Sequence, residues 1–141
     1  MRIISLNANG IRSAATKGVF EWLRQQNADV VCLQETKAQE SQLTDPMFRP
    51  DGHHCFYHDA RSKKGYSGVA LYSRREPDEV RTSLGFEAFD CEGRYIEARY
   101  GHLRVVSFYI PSGSSGHEPP HYNFPILKWL PPLLPLWAST R

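Results

Sequence analysis

Two short apolar runs near the start of the chain, Arg2 to Leu6 (RIISL) and Asp29 to Leu33 (DVVCL), do most to limit its fold. Both are rich in β-branched residues, both are strand-length, and each stops abruptly at a polar cluster. Asn7-Ala8-Asn9-Gly10 follows the first, and Gln34-Glu35-Thr36-Lys37 follows the second. Between them Val19, Phe20, Trp22 and Leu23 recur at helical spacing, which predicts one amphipathic helix over Thr16 to Asn27 with Gly18 near its start. A strand, helix, strand unit therefore opens the chain, and an α/β class follows from it.

The rest of the pattern is β-rich. After a polar connection containing Pro46 and Pro50, strands are predicted at His54 to His58 and Gly68 to Ser73, joined across the basic loop Arg61-Ser62-Lys63-Lys64-Gly65-Tyr66. Two more, Arg94 to Tyr100 and Leu103 to Ile110, are separated only by Gly101-His102, the spacing of a tight hairpin. This predicts a mixed or antiparallel sheet rather than a regular βαβ alternation, and no internal repeat is present.

Composition removes several classes. With 40% hydrophobic and 23% charged residues in 141, the chain reads as a single globular domain, not a disordered or collagen-like one. No run reaches the about 20 apolar residues of a membrane helix, and the opening MRIISLNANG lacks the features of a signal peptide, so a cytoplasmic location without membrane association is expected. Cys32, Cys55 and Cys91 form neither a disulfide framework nor a zinc pattern. A net charge of +2 is compatible with a polyanionic partner but does not argue for one.

The composition shifts at His117. Residues 117–141 hold six of the ten prolines and two of the three tryptophans, but only three acidic or basic side chains. The expected organisation is a folded unit over 1–116 followed by a Pro/Trp-rich segment over 117–141. Prolines 125, 131, 132 and 135 would each break or kink a helix there.

Polar side chains stand where the apolar runs end: Asn7 after RIISL, Glu35 after DVVCLQ, and Tyr109 near the end of VVSFYI. A rigid sheet can bring such ends together from distant parts of the chain. Glu35 is a hard oxygen donor suited to Mg²⁺, Asn7 can orient a carboxylate or a metal-bound water, and the Tyr109 phenol can donate to a phosphate oxygen. Taken singly, each also has an ordinary reading, as turn asparagine, solvated or helix-terminal acid and half-buried core tyrosine.

Five ordered segments add a resemblance: SLNANGIRSA at 5–14, DVVCLQETKAQ at 29–39, GYSGVALYSR at 65–74, EGRYIEA at 92–98 and SFYIPSG at 107–113. Together they resemble the exonuclease III family of DNA-repair nucleases, which includes the apurinic/apyrimidinic (AP) endonucleases, within the deoxyribonuclease I-like superfamily. The resemblance implies the first half of a two-sheet α/β sandwich with flanking helices. It also implies metal-dependent phosphodiester hydrolysis at abasic sites and 3′ ends of duplex DNA, with Mg²⁺ as cofactor, Mn²⁺ as a substitute and no small-molecule cofactor. A monomer is typical of the family. By the same resemblance Glu35 binds the metal, Asn7 belongs to the active site and metal centre, and Tyr109 lies near the scissile phosphate. Arg12, Lys17, Tyr66 and Arg94 contact the DNA backbone, Arg94 as a phosphate-contacting arginine; phosphate contacts position a duplex without reading its sequence.

The family's later half supplies an Asp-x-Asn motif and an Asp-His pair, whereas this sequence has no Asp after Asp90 and no Asp-His dipeptide. The expectation is a truncated or frameshifted product, inactive by itself. Two alternatives stand beside it: another phosphodiesterase or phosphatase of the same superfamily, and a non-catalytic DNA-binding fragment.

Overall fold

The computed structural model describes residues 1–110. The Pro/Trp-rich segment expected at 117–141, and the last residues of the unit expected at 1–116, lie outside the described residues. In chain order the elements are β1 (Ile3–Asn7), α1 (Ile11–Thr16), α2 (Val19–Gln26), β2 (Val30–Gln34), β3 (His54–His58), β4 (Val69–Ser73), β5 (Glu79–Arg81), α3 (Glu87–Asp90), β6 (Tyr95–Tyr100) and β7 (Leu103–Phe108). Short 3₁₀ turns at Glu40–Gln42 and Pro46–Phe48 interrupt the long connection after β2.

These strands form two sheets, one of four strands in the order β1-β2-β4-β3 and one of three in the order β5-β6-β7. β1 and β2 run parallel, with Asn7 opposite Gln34, as a helical crossover between them requires. The two expected hairpins are present: β3 pairs antiparallel with β4, and β6 with β7 through a register that places Tyr100 opposite Leu103.

β2 is buried on both faces, and period-2 alternation divides its side chains between two cores. Val30 and Cys32 face the second sheet and pack with Val69, Leu71, Ile96, Ala98 and Val105. Val31 and Leu33 face the helical side with Ile11, Leu23, Ala70 and Tyr72. Each fully buried aliphatic side chain contributes about 1.5–3 kcal/mol, so the central strand anchors both layers. Ser107 of β7 fastens the sheets polar-to-polar, donating to the carbonyl of Leu33 at 3.0 Å.

The helix expected over 16–27 is present as α2, with Gly18 as its N-cap, and the six-residue α1 ahead of it was not expected. Ile11, fully buried, starts α1, and Gly18 at φ +83° turns the chain into α2. That left-handed conformation suits glycine, and it separates the two helices. β5 and α3, three and four residues long, give no readable period and were not expected. α3 is held from outside: the buried Asp90 carboxylate accepts from the Ser83 hydroxyl and from the backbone N–H groups of Leu84, Gly85 and Phe86. Among the described residues no helix is long and apolar enough to cross a membrane.

Candidate active site

Parallel pairing brings the C-terminal ends of β1 and β2 side by side, and the loops that leave them are laced together. Ala8, Gly10 and Ile11 donate their N–H groups to the carbonyls of Gln34, Glu35 and Thr36 at 2.7–2.9 Å. From the other side Thr36 and Lys37 donate to the carbonyls of Gly68 and Ser67. Thr36, 2% exposed, is packed so closely against Gly68 that a Cβ there would stand 2.1 Å from its Oγ1. The Gln34-Glu35-Thr36-Lys37 segment is thus held between the loops at 7–10 and 65–68.

The backbone in this cluster is strained. Asn9, Glu35, Lys37 and Ser67 all have positive φ, between +44° and +52°. A non-glycine residue in that region costs about 1–2 kcal/mol, less for Asn, and such residues gather where the surroundings over-determine a functional geometry.

That geometry converges on the Glu35 carboxylate. The Asn7 amide donates to its Oε1 at 2.7 Å, and the Lys37 ammonium lies 2.9 Å from its Oε2. Tyr109 follows β7, and its phenol stands near enough to the same carboxylate for each to act on the other's charge. It arrives there because Ser107, two residues earlier, is fixed to Leu33, two residues before Glu35. Asn7 is fixed in turn by its Oδ1, which accepts from the Asn9 N–H at 2.9 Å, and Asn9 Oδ1 accepts from Lys37 at 2.6 Å.

The electrostatics follow. Burial alone would raise the Glu35 carboxyl, but the Asn7 amide, the Lys37 ammonium and the neighbouring Tyr109 phenol outweigh it and hold the group below the ordinary glutamate range. Tyr109 is pushed up to about 12 by burial and by the Glu35 charge, against the opposing pull of Arg94. At neutral pH the site therefore presents an anionic carboxylate and a protonated phenol.

A carboxylate beside an amide suits a hard divalent cation that keeps several waters, and Glu35 with Asn7 would hold it. Among the described residues no group of three or more His, Cys, Asp or Glu side chains is placed to enclose a metal.

The other expected residues divide. Arg12 on α1 and Lys17 at its end are exposed, and Lys17 lines a shallow groove with Asn7, Asn9, Ser13 and Trp22. Tyr66, at the tip of the basic loop, is half-buried. Arg94, expected to contact phosphate, is only 4% exposed. Its guanidinium donates to Glu92 at 2.6 Å and to the Tyr66 hydroxyl at 2.7 Å, and lies 5.7 and 5.9 Å from the ring centres of Tyr66 and Tyr109. It sits behind the two tyrosines rather than on the surface. Glu92 and Arg94 flank Gly93, whose φ of +61° in the turn before β6 brings them together, a conformation that residue spacing alone does not specify. Lys37 was not among the expected site residues, because a lysine two positions past an acid reads as a solvated surface charge.

A profile of the Endonuclease/Exonuclease/phosphatase family matches residues 4–138 and continues past the change in composition at His117. The chain is 37% identical over 135 residues to an exodeoxyribonuclease of Bacillus subtilis, covering 95% of this chain and 51% of that protein. It is 38% identical over 117 residues to the DNA repair nuclease APEX1 of Danio rerio, covering 82% of this chain and 38% of that one. Among solved structures an AP endonuclease from Archaeoglobus fulgidus superposes with a TM-score of 0.77 at 31% identity, over 92% of this chain and 49% of that one. The chain thus spans about half the length of the Bacillus subtilis relative, and less of the Danio rerio one. Strand ends that meet at one carboxylate, a two-sheet α/β architecture and a match over nearly the whole sequence lead to one statement: the chain belongs to the Endonuclease/Exonuclease/phosphatase family.

Proposed function

We propose that the chain carries the cation- and phosphate-binding part of a DNA-repair nuclease of exonuclease III and AP endonuclease type. Its substrate would be a phosphodiester of duplex DNA at an abasic site or a 3′ end. The observation that carries this reading is the Glu35 carboxylate, fixed at the end of β2 by Asn7 from β1, with the Tyr109 phenol brought near it from the end of β7. The names of the relatives, an exodeoxyribonuclease and a DNA repair nuclease, support the substrate class.

Each residue then has a task. Glu35 and Asn7 would hold Mg²⁺, or Mn²⁺ in its place, and such a cation when bound neutralises charge on the phosphate. Tyr109, protonated at neutral pH, can donate its phenolic proton to a phosphate oxygen. Arg12, Lys17 and Tyr66 grip the backbone on either side. Arg94 is reassigned from direct phosphate contact to holding Tyr66 and Tyr109 in place. Among the described residues Glu35 is the carboxylate at this centre, and binding without incision is the behaviour proposed for these 141 residues alone.

The test is a duplex carrying one stable abasic analogue, incubated with the chain in Mg²⁺ or chelator, beside Glu35→Ala and Tyr66→Ala. Preference for the abasic duplex over an intact one, reduced at least several-fold by Tyr66→Ala, supports the reading. Metal-dependent incision lost in Glu35→Ala would support it further and overturn the expectation of inactivity. No preference and no incision would refute the reading.

A further inference from the structure

Both oxygens of Glu35 are engaged, but by very different partners. The Asn7 amide at Oε1 is locked, because its own carbonyl oxygen accepts the Asn9 N–H. Lys37 at Oε2 is a compact ammonium on a flexible stem, and its side chain is 39% exposed where that of Glu35 is 17% exposed. The backbone of residue 37 cannot relocate, since it is tied to the carbonyl of Ser67 at 2.8 Å and its neighbour Thr36 is tied to both flanking loops. Only the side chain can leave.

We propose that Lys37 is the resident counter-ion of the Glu35 carboxylate, holding the place from which a divalent cation displaces it. The inference rests on the reading of Glu35 as the cation-binding carboxylate and adds a competitor to it. Without a divalent ion the ammonium neutralises the half-buried carboxylate and, through its 2.6 Å bond to Asn9, keeps the 7–10 loop closed on the 34–37 segment. A doubly charged ion competes with a singly charged one for the same oxygen, so cation entry and loss of the Lys37 contact are one event. The freed ammonium then stands as an unpaired cation beside the groove lined by Asn9 and Lys17, where a phosphate oxygen would complement it. Cation binding and phosphate binding at this site are thereby coupled through one side chain.

Mn²⁺ affinity, measured by calorimetry or water-proton relaxation, tests this without any turnover. Lys37→Met keeps an unbranched apolar stem while removing the ammonium, and places no new type of strain at φ +48°, since the native residue is already non-glycine. It should bind Mn²⁺ about tenfold tighter than the native chain, as should Lys37→Gln, while Lys37→Arg keeps the competitor and the native affinity. Arg24→Met removes the same charge from an exposed position on α2, 3.0 Å from Glu21, and should change affinity by less than about twofold because solvent and salt screen it. Glu35→Gln should abolish binding in both the native and the Lys37→Met backgrounds. Unchanged or weakened binding in Lys37→Met and Lys37→Gln, with Glu35→Gln still silent, overturns the counter-ion and leaves the carboxylate reading standing. Binding that survives Glu35→Gln overturns both.

Discussion

Glu92 and Arg94 stand two residues apart at the entrance to β6, with their side chains 2.6 Å from each other and only 19% and 5% exposed. Removing the arginine leaves a carboxylate without its charge partner and two tyrosines without the cation between them. Arg94→Met should therefore cost about 3 kcal/mol in urea unfolding, the range for breaking one side of a buried pair. Arg12→Met, at an exposed position on α1, should stay within about 0.5 kcal/mol in the same assay. In DNA titrations the order reverses in kind: Arg12→Met should reduce the slope of log affinity against log salt by about one, whereas Arg94→Met acts through the disordering of Tyr66. If Arg94→Met leaves stability untouched, the buried pair is not what holds these tyrosines. Asn7, Glu35 and Tyr109 could be picked out in the sequence because each follows an apolar strand, a pattern that survives without coordinates. Lys37 could not, because its contact with Glu35 depends on positive φ at both residues, which no local propensity specifies.

The same division between pattern and conformation holds for whole elements. Strands β2, β4, β6 and β7 were readable because burial imposes β-branched runs and turn residues punctuate them. α1 was not, since its six residues carry one buried apolar side chain, and neither were β5, three residues long and shaped by its pairing with β6, or α3, a single turn held by the Asp90 carboxylate to the backbone just before it. At the site the decisive element is the junction between the 34–37 segment and the start of β4. Gly68, at φ +85°, lies against Thr36, whose β-branched side chain has no free rotamer to retreat to when 2% exposed. Gly68→Ala should cost about 3 kcal/mol or more and weaken cation binding, because strain and overlap add and Thr36 carries Glu35 and Lys37 on either side. Gly101→Ala is the matched comparison. Gly101 has φ +62° in the β6–β7 turn with nothing within 4 Å, so only the backbone penalty of about 1–2 kcal/mol applies, with cation affinity unchanged. Equal losses at the two positions, read by urea unfolding, would mean the contact with Thr36 carries no energy.

Across the whole described molecule the titratable groups sunk into the two cores make stability sensitive to high pH. Burial raises the phenols of Tyr57, Tyr72, Tyr95, Tyr100 and Tyr109, five of the chain's seven tyrosines, and pushes the Cys32 and Cys55 thiols up to about 11. In the unfolded chain these groups ionise near ordinary values, about 10 for tyrosine and about 8.5 for cysteine. Between the unfolded and folded values the native state binds more protons than the unfolded one. The stabilisation is therefore complete below the unfolded pKa and is lost as pH rises toward the folded one. Each such group contributes a slope of about 1.4 kcal/mol per pH unit over that window, and the slopes add. Urea unfolding free energy should stay level to about pH 8, begin to fall as the thiols enter their window, and fall several times more steeply beyond pH 10. Tyr109→Phe isolates one contribution, because its phenol is pushed up to about 12 by burial and by Glu35. That variant should flatten the decline between about pH 10 and 12, by less than a fully buried phenol would, because solvent screens this half-buried one. Tyrosine absorbance near 295 nm supplies the independent readout, since five phenols should ionise only together with unfolding rather than along the curve of free tyrosine. A chain that keeps its stability to pH 11 while its tyrosines titrate freely would show that neither core excludes water, and the placing of the Tyr109 phenol near Glu35 would fall with it.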